Sequence, residues 1–387
     1  MDPRKSKKKN KKLKRNGFFA AEEAKLKKYN GFSRICGLVV ILLVGFGVAY
    51  FARMYFAAMS SAQQAYQGSQ NTSTAISQRK PVSILLLGVD QGIEGRHDKG
   101  NSDTMILLTL NPQKQSATMT SIPRDLLVDV KGDGSNGGKY FMFRVNSAYQ
   151  VGGSKASAAT VKSLLNVPID YTMEVQMDAL SKLVDALGGV DVKVPFSFSY
   201  DWCDFHKGMQ HLNGRHALAY SRMRKDDPKG DYGRQMRQRQ IIQAIVKKGM
   251  NIKSIDNYRK ILKIFSKYVR TNLTFNDMMS IALHYRSSAN NIKSGYIQGH
   301  DAWIGDASMQ VASTKELQKI SNLVRTNLGL KKEKLNNEET RQNSLQKNIK
   351  WSDPDAFKNY IVYDKNSDTI PYTNSAYGDS SSSSSSN

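Results

Sequence analysis

Ser83-Ile84-Leu85-Leu86-Leu87-Gly88-Val89-Asp90 and Ser102-Asp103-Thr104-Met105-Ile106-Leu107-Leu108 decide how this chain is read. Each stretch is a short, continuous apolar run, the pattern of a strand buried on both faces. Each also carries an aspartate at one end. Ligands in open α/β sheets bind beyond the carboxyl ends of strands, and two carboxylates there can hold a hard cation. The plainer role of turn or capping residue is open to both aspartates, and spacing alone favours it.

Working outward, Ala117–Ile122 reads as a third strand, Lys155–Leu165 as a helix and Tyr171–Met177 as a strand. Asp178–Leu187 has apolar residues at helical spacing and stops at Gly188-Gly189. Val190–Val194 returns as a strand. Gly233–Met250 is the clearest helix, and Thr274-Phe275-Asn276-Asp277 resembles a capping start for another. Ile292–Gln298 and Lys315–Asn327 add a late strand and a late helix. Strands alternating with helices predict an α/β fold, an α-β-α sandwich around a central, mostly buried mixed sheet.

Arginines follow the aspartates. Arg124 comes after a strand and a proline, in Ser121-Ile122-Pro123-Arg124-Asp125. Arg222 and Arg224 alternate in an apparently extended segment and so face the same way. Asp231-Tyr232-Gly233-Arg234-Gln235-Met236-Arg237-Gln238 opens the long helix, with 234, 237 and 238 on one face. Clustered guanidiniums and a helix N-terminus both suit phosphate oxygens. A solvated basic surface would give a similar pattern.

The chain has 387 residues and a formal net charge of +24. Residues 1–34 hold thirteen Lys and Arg against three Asp and Glu, a net of +10, and the remainder carries the other +14. Such a balance attracts anionic polymers, lipids or nucleic acid. Nucleic acid is disfavoured by what comes next. Ile35–Ala52 is eighteen residues without a charge, and Met54–Met59 extends it past Arg53. That length predicts one transmembrane helix at 35–59, an uncleaved signal anchor rather than a signal peptide. The Lys-rich arm, 1–34, should then stay cytoplasmic and the rest lie outside the cell, at the membrane. Polar residues 60–80 read as a linker, 81–330 as the folded domain, and the Asn-, Gln- and Ser-rich 331–387 as a disordered tail. Cys36 and Cys203 give no intramolecular disulfide.

Several chemistries find no support. There is no G-x-x-x-x-G-K-[ST] loop and no G-x-S-x-G elbow. His206, His211 and His216 recur every five residues, out of register for a zinc motif, and read as loop histidines.

Seven ordered blocks give a more specific signal: LLLGVD (85–90), SDT (102–104), SIPRD (121–125), RVNSAYQVGG (144–153), VDALGGVDV (184–192), LNGRHALAYSRMR (212–224) and DYGRQMRQ (231–238). With the basic arm and single anchor, they resemble the LytR–CpsA–Psr family of cell-envelope enzymes, over residues 82–250. The resemblance implies a magnesium-dependent phosphotransferase, with manganese as a substitute. Such enzymes move a glycopolymer (teichoic acid, capsule or another wall polysaccharide) from an undecaprenyl-pyrophosphate carrier to peptidoglycan. By matched position, Asp90 and Asp103 would bind the metal. Arg124, Arg222, Arg224, Arg234 and Gln238 would grip the pyrophosphate, and Arg237 is their neighbour on the same helix face. Asp231 would orient arginines or assist the acceptor hydroxyl. Leu180, Leu183, Val184, Ile241, Ile245 and Val246 are candidates for the lipid pocket and equally for plain core. One departure stands out: the family usually has arginine before SDT, and here Asn101 stands there. Arg96 is the nearest replacement. Because of that departure, a non-catalytic wall-binding scaffold stands as an alternative. A regulator of transcription and a lipid pyrophosphatase are two more.

Overall fold

In the computed structural model the described residues are 50, 52–67, 74–89, 100–132, 141–249, 255–347, 349–352 and 360–372. The chain forms two units, Met1–Met59 and Ser60–Asn387. In the first, residues 50 and 52–59 are helical, and most of the expected span lies outside the described residues. No helix among the described residues is long and apolar enough to cross a membrane.

The second unit begins with a helical stretch, 60–65, after which Tyr66 bridges to Thr271. A short helix, α1 (Thr74–Ser77), precedes three strands: β1 (Val82–Val89), β2 (Ser102–Asn111) and β3 (Ser116–Ile122). β4 (Leu127–Asp129) pairs with β5 (Met142–Arg144), and α2 (Ser147–Leu165) follows. Then come β6 (Tyr171–Gln176), α3 (Met177–Ala186) and the strands β7 (Val190–Val194), β8 (Phe198–Tyr200), β9 (Cys203–Phe205) and β10 (Gly208–Leu212). Two helices, α4 (Gly214–Arg222) and α5 (Gly230–Gly249), lead to α6 (Ile255–Tyr268), β11 (Val269–Thr271) and α7 (Phe275–His284). The chain continues through β12 (Ile292–Tyr296), β13 (His300–Ile304) and β14 (Ala307–Val311) to α8 (Thr314–Asn327) and α9 (Glu338–Leu345).

The central sheet has six strands in the order β11-β6-β1-β2-β3-β12. β1–β2–β3 is an antiparallel meander, whereas β6 joins β1 and β12 joins β3 in parallel. The sheet is therefore mixed, as expected. Its two faces follow from side-chain alternation. Leu85, Leu87, Val89, Met105 and Leu107 pack with Val161 and Leu164 of α2 and Leu317 and Val324 of α8. Ile84, Leu86, Leu108 and Leu110 face the other way, toward Ile76 of α1 and Met278 and Ile281 of α7. Helices thus cover both faces, and the apolar runs are continuous for that reason.

Gly88 shows how tightly β1 and β2 meet where they carry function. A Cβ there would lie 2.9 Å from the Thr104 Cβ. Only glycine lets the strands keep this register beside Asp103.

A separate lobe packs β7, β9 and β10 with α3, α4 and α5. Val184 and Ile241 are fully buried in it beside Val190, Phe205 and Tyr220. This corrects the pocket expectation for those two residues: they are core. Leu180 and Ile245 pack against the same cluster, Leu183 is half-buried, and Val246 is 43% exposed.

Two boundaries also need correction. The 60–80 segment is more than a spacer, since Ala65 and Ile76 are buried and Gln67 N–H donates to Thr271 O at 2.7 Å. Nor does order stop at 330. Asn337 caps α9 in a reciprocal capping box with Thr340. Leu335, Tyr360 and Val362 are buried, and the Tyr360 hydroxyl donates to Asn343 Oδ1 at 2.9 Å. Polar composition hid this because the few apolar residues are spaced far apart. Residues 373–387, with the serine run, lie outside the described residues.

Replacing Tyr360 with Ala should lower unfolding free energy by about 3–5 kcal/mol, the usual cost of emptying a core aromatic site; an unchanged urea midpoint would return the segment to a tail. Glu339 offers a pH test. Burial pushes its carboxyl up to about 7. The folded protein holds a proton there that an unfolded glutamate releases near ~4.3. Stability should therefore fall as pH rises through that window, and Glu339→Gln should flatten the decline in a pH series of thermal melts.

Candidate functional site

β2 and β3 are antiparallel with Met105 opposite Ile122. Asp103, at the start of β2, and Arg124, just past the end of β3, therefore lie at the same sheet edge. Arg124 Nη1 donates to Asp103 Oδ1 at 2.9 Å. Arg124 Nε also reaches Asp125 Oδ2 at 3.3 Å, and Arg144 of β5 approaches Asp125 at 3.7 Å. Burial works against the Arg124 charge, but Asp125 and Asp103 outweigh it and raise its proton affinity.

The second half of the site comes from the α4–α5 connection. Asp231 sits in the first turn of α5, where a carboxylate suits the helix dipole. Arg234 pairs with it one turn on, Arg224 Nε lies 3.9 Å away, and Gln235 donates to its Oδ2 at 2.7 Å. Burial lowers the proton affinity of Arg234, Asp231 opposes that, and the like charges of Arg124 and Arg224 add to the lowering. That mutual influence places the Asp103–Arg124 and Asp231–Arg234 pairs in one site.

Arg237 departs from its expected role. It is fully buried, and its guanidinium is consumed inside the protein. It donates to Asp227 and to the Tyr220 and Met223 carbonyls, the Tyr220 bond being 2.9 Å. Gly233 makes room for this latch, since a Cβ there would overlap the Asp227 carboxylate. Arg237 is therefore a structural cation and not part of the phosphate grip.

Arg222 ends α4, half-buried and without an ion-pair partner among the described residues. Gln238 is buried on α5, one turn after Arg234. Asp90 and Arg96 lie outside the described residues. Among the described residues, no three His, Cys, Asp or Glu side chains form a metal-binding group. The described part of the site still fits a hard cation. Asp103 spends one oxygen on Arg124 and leaves the other available, and magnesium takes one or two carboxylates with phosphate oxygens.

Sequence reasoning missed Asp125, Arg144, Asp227 and Arg239. The first two stood inside quoted blocks, SIPRD and RVNSAYQVGG, without a role. Arg239 is buried, donates to Ser294 Oγ at 2.8 Å and Ser121 Oγ at 2.5 Å, and lies over the Tyr296 ring. Burial lowers its pKa to about 10. It fastens α5 to β3 and β12, three residues from Arg124.

The family model LytR_cpsA_psr matches residues 48–326. A curated relative from Enterococcus faecalis, the polyisoprenyl-teichoic acid–peptidoglycan teichoic acid transferase TagU, is 37% identical over 306 residues, 78% of this chain and 98% of its own. A Streptococcus agalactiae crystal structure is 39% identical, covering 69% of this chain and 94% of that one, with a TM-score of 0.62. The Bacillus subtilis TagU crystal structure is 38% identical, covering 65% and 98%, with a TM-score of 0.52. With a family match across most of its length and relatives this similar, the chain belongs to the LytR–CpsA–Psr family.

Proposed function

We propose that the chain transfers a glycopolymer from a polyprenyl-pyrophosphate carrier to peptidoglycan, forming a phosphodiester and releasing polyprenyl phosphate. One observation carries this reading: the Asp103–Arg124 pair at one end of the sheet and the Asp231–Arg224–Arg234 group on the α4–α5 connection lie near enough to act on each other's charges. The teichoic acid transferase names of its relatives support the substrate class. Teichoic acid is the first choice of polymer, with capsular and other wall polysaccharides as the same chemical class.

Phosphoryl transfer asks mainly for positioning and charge stabilisation. Arg124, Arg224 and Arg234 would bind oxygens of the pyrophosphate, each already oriented by a carboxylate. Asp231 pairs with two of those arginines and lines the cleft beside Arg224. Asp103, with Asp90, would hold magnesium or manganese, which when bound polarises the phosphate and neutralises the leaving group. Polyprenyl phosphate leaves as a stabilised anion, so no strong acid is required. In this reading an anchor at 35–59 would keep the basic arm in the cytoplasm and the domain outside, where its positive charge would attract anionic polymer.

Asp103→Ala and Arg124→Ala should each cut transfer about 10²–10³-fold, the scale for losing one transition-state contact. Stability should change by about 1 kcal/mol or less, as for a partly exposed pair. Full transfer by both variants, from a defined lipid-linked donor, would remove this mechanism. Asp227→Ala behaves differently: it strands a buried guanidinium and should cost about 3–5 kcal/mol in denaturant unfolding.

A further inference from the structure

β13 and β14 form a hairpin with one face inward and one outward. Ala302, Ile304, Ala307, Met309 and Val311 point in, against Tyr360 and Val362. Asp301 and Trp303 point out, opposite Gln310 and Ser308 respectively. Trp303 is 55% exposed, an expensive position for an indole in a monomeric surface.

This outward face lines a cleft of about 990 Å³ that runs to Arg224 and Asp231. The cleft is electrically divided. Arg224, Lys225 and Lys229 line it from the α4–α5 connection, whereas Gln298, Asp301 and Trp303 line it from the hairpin and the residues before it. His300, beside them, has its pKa lowered by burial, against the opposing pull of Asp301. The hairpin side thus offers an aromatic face, amides and a carboxylate.

The platform is rigid and tied to the catalytic residues. Gln310 N–H donates to Asp125 O at 2.8 Å, one residue from Arg124. Arg144 Nε donates to Ser308 O at 3.1 Å. Tyr232, next to Asp231, donates its hydroxyl to Gly299 O at 2.9 Å and accepts from Gly299 N–H at 2.8 Å.

We propose that the outward face of this hairpin is the acceptor subsite, binding an uncharged N-acetylated amino-sugar glycan laid across Trp303 and leading to Asp231. The inference rests on the transferase reading above. Sugar rings present C–H faces that stack on indole and hydroxyls that pair with amides and carboxylates. An anionic phosphodiester polymer would instead meet the exposed Asp301 carboxylate there, and it suits the lysine side.

The test uses the full chain in detergent and chitotetraose, an uncharged N-acetylglucosamine tetramer, read by indole fluorescence and calorimetry. Chitotetraose should bind the wild type, Trp303→Ala should weaken binding about 10-fold, and Trp303→Tyr should restore most of it. In the transfer assay, Trp303→Ala should raise the acceptor KM about 10-fold and change kcat much less. No binding by the wild type, equal binding by Trp303→Ala, or tighter Trp303-dependent binding of a glycerol-phosphate oligomer would each overturn the subsite. Trp303-dependent glycan binding by a chain that transfers nothing would uphold the subsite and overturn the transferase reading instead.

Discussion

A guanidinium with no access to water must have its donors met by the protein, and Arg237 imposes that demand on everything around it. Asp227 and the carbonyls of Tyr220 and Met223 answer it. To do so, the end of α4, the connecting loop and the first turns of α5 must all converge on one point. Arg224 lies in that loop and Asp231 and Arg234 lie in those first two turns, so the latch fixes three site residues without touching a ligand. Gly233 belongs to the same constraint, because the Asp227 carboxylate occupies the space a side chain would need.

The same logic explains what could be read before any coordinates. The strands β1 and β2 were legible because burial on both faces leaves continuous apolar runs, and α5 because its length and spacing are unambiguous. Asp103 and Arg124 could be placed at one end of the sheet because the apolar runs mark where strands start and stop, whereas a role for Asp231 came only from the family resemblance. Arg237 was misread for a physical reason: helical periodicity reports which residues share a face, not whether that face meets solvent. In a basic helix a buried arginine looks like its neighbours. α2 was read eight residues short because Gly152-Gly153 interrupts it with non-helical backbone, and glycines in sequence signal a break.

The late segments are the opposite case. Residues 331–372 have the composition of a tail, yet Leu335, Tyr360 and Val362 close the inner face of the β13–β14 hairpin and the end of α2. Few apolar residues suffice when each lands in a site already formed by others. Hydrogen bonds do the rest, as Gln342 and Gln346 pair with the backbone of 361–363. A segment assembled this way has no periodicity to detect, although it supports a surface directly joined to Asp125.

Charge arrangement gives the site its character. Arg124, Arg144, Arg224 and Arg234 stand among Asp103, Asp125 and Asp231, so each guanidinium is oriented by a carboxylate before any phosphate arrives. Orientation in advance removes side-chain entropy from the binding step. The pairing is incomplete, however. Burial lowers the hold of Arg234 on its proton, and crowding by Arg124 and Arg224 adds to that against the pull of Asp231. Such crowding is a standing electrostatic cost in the empty site. An anion with several oxygens relieves it at all three arginines together, and a single carboxylate cannot.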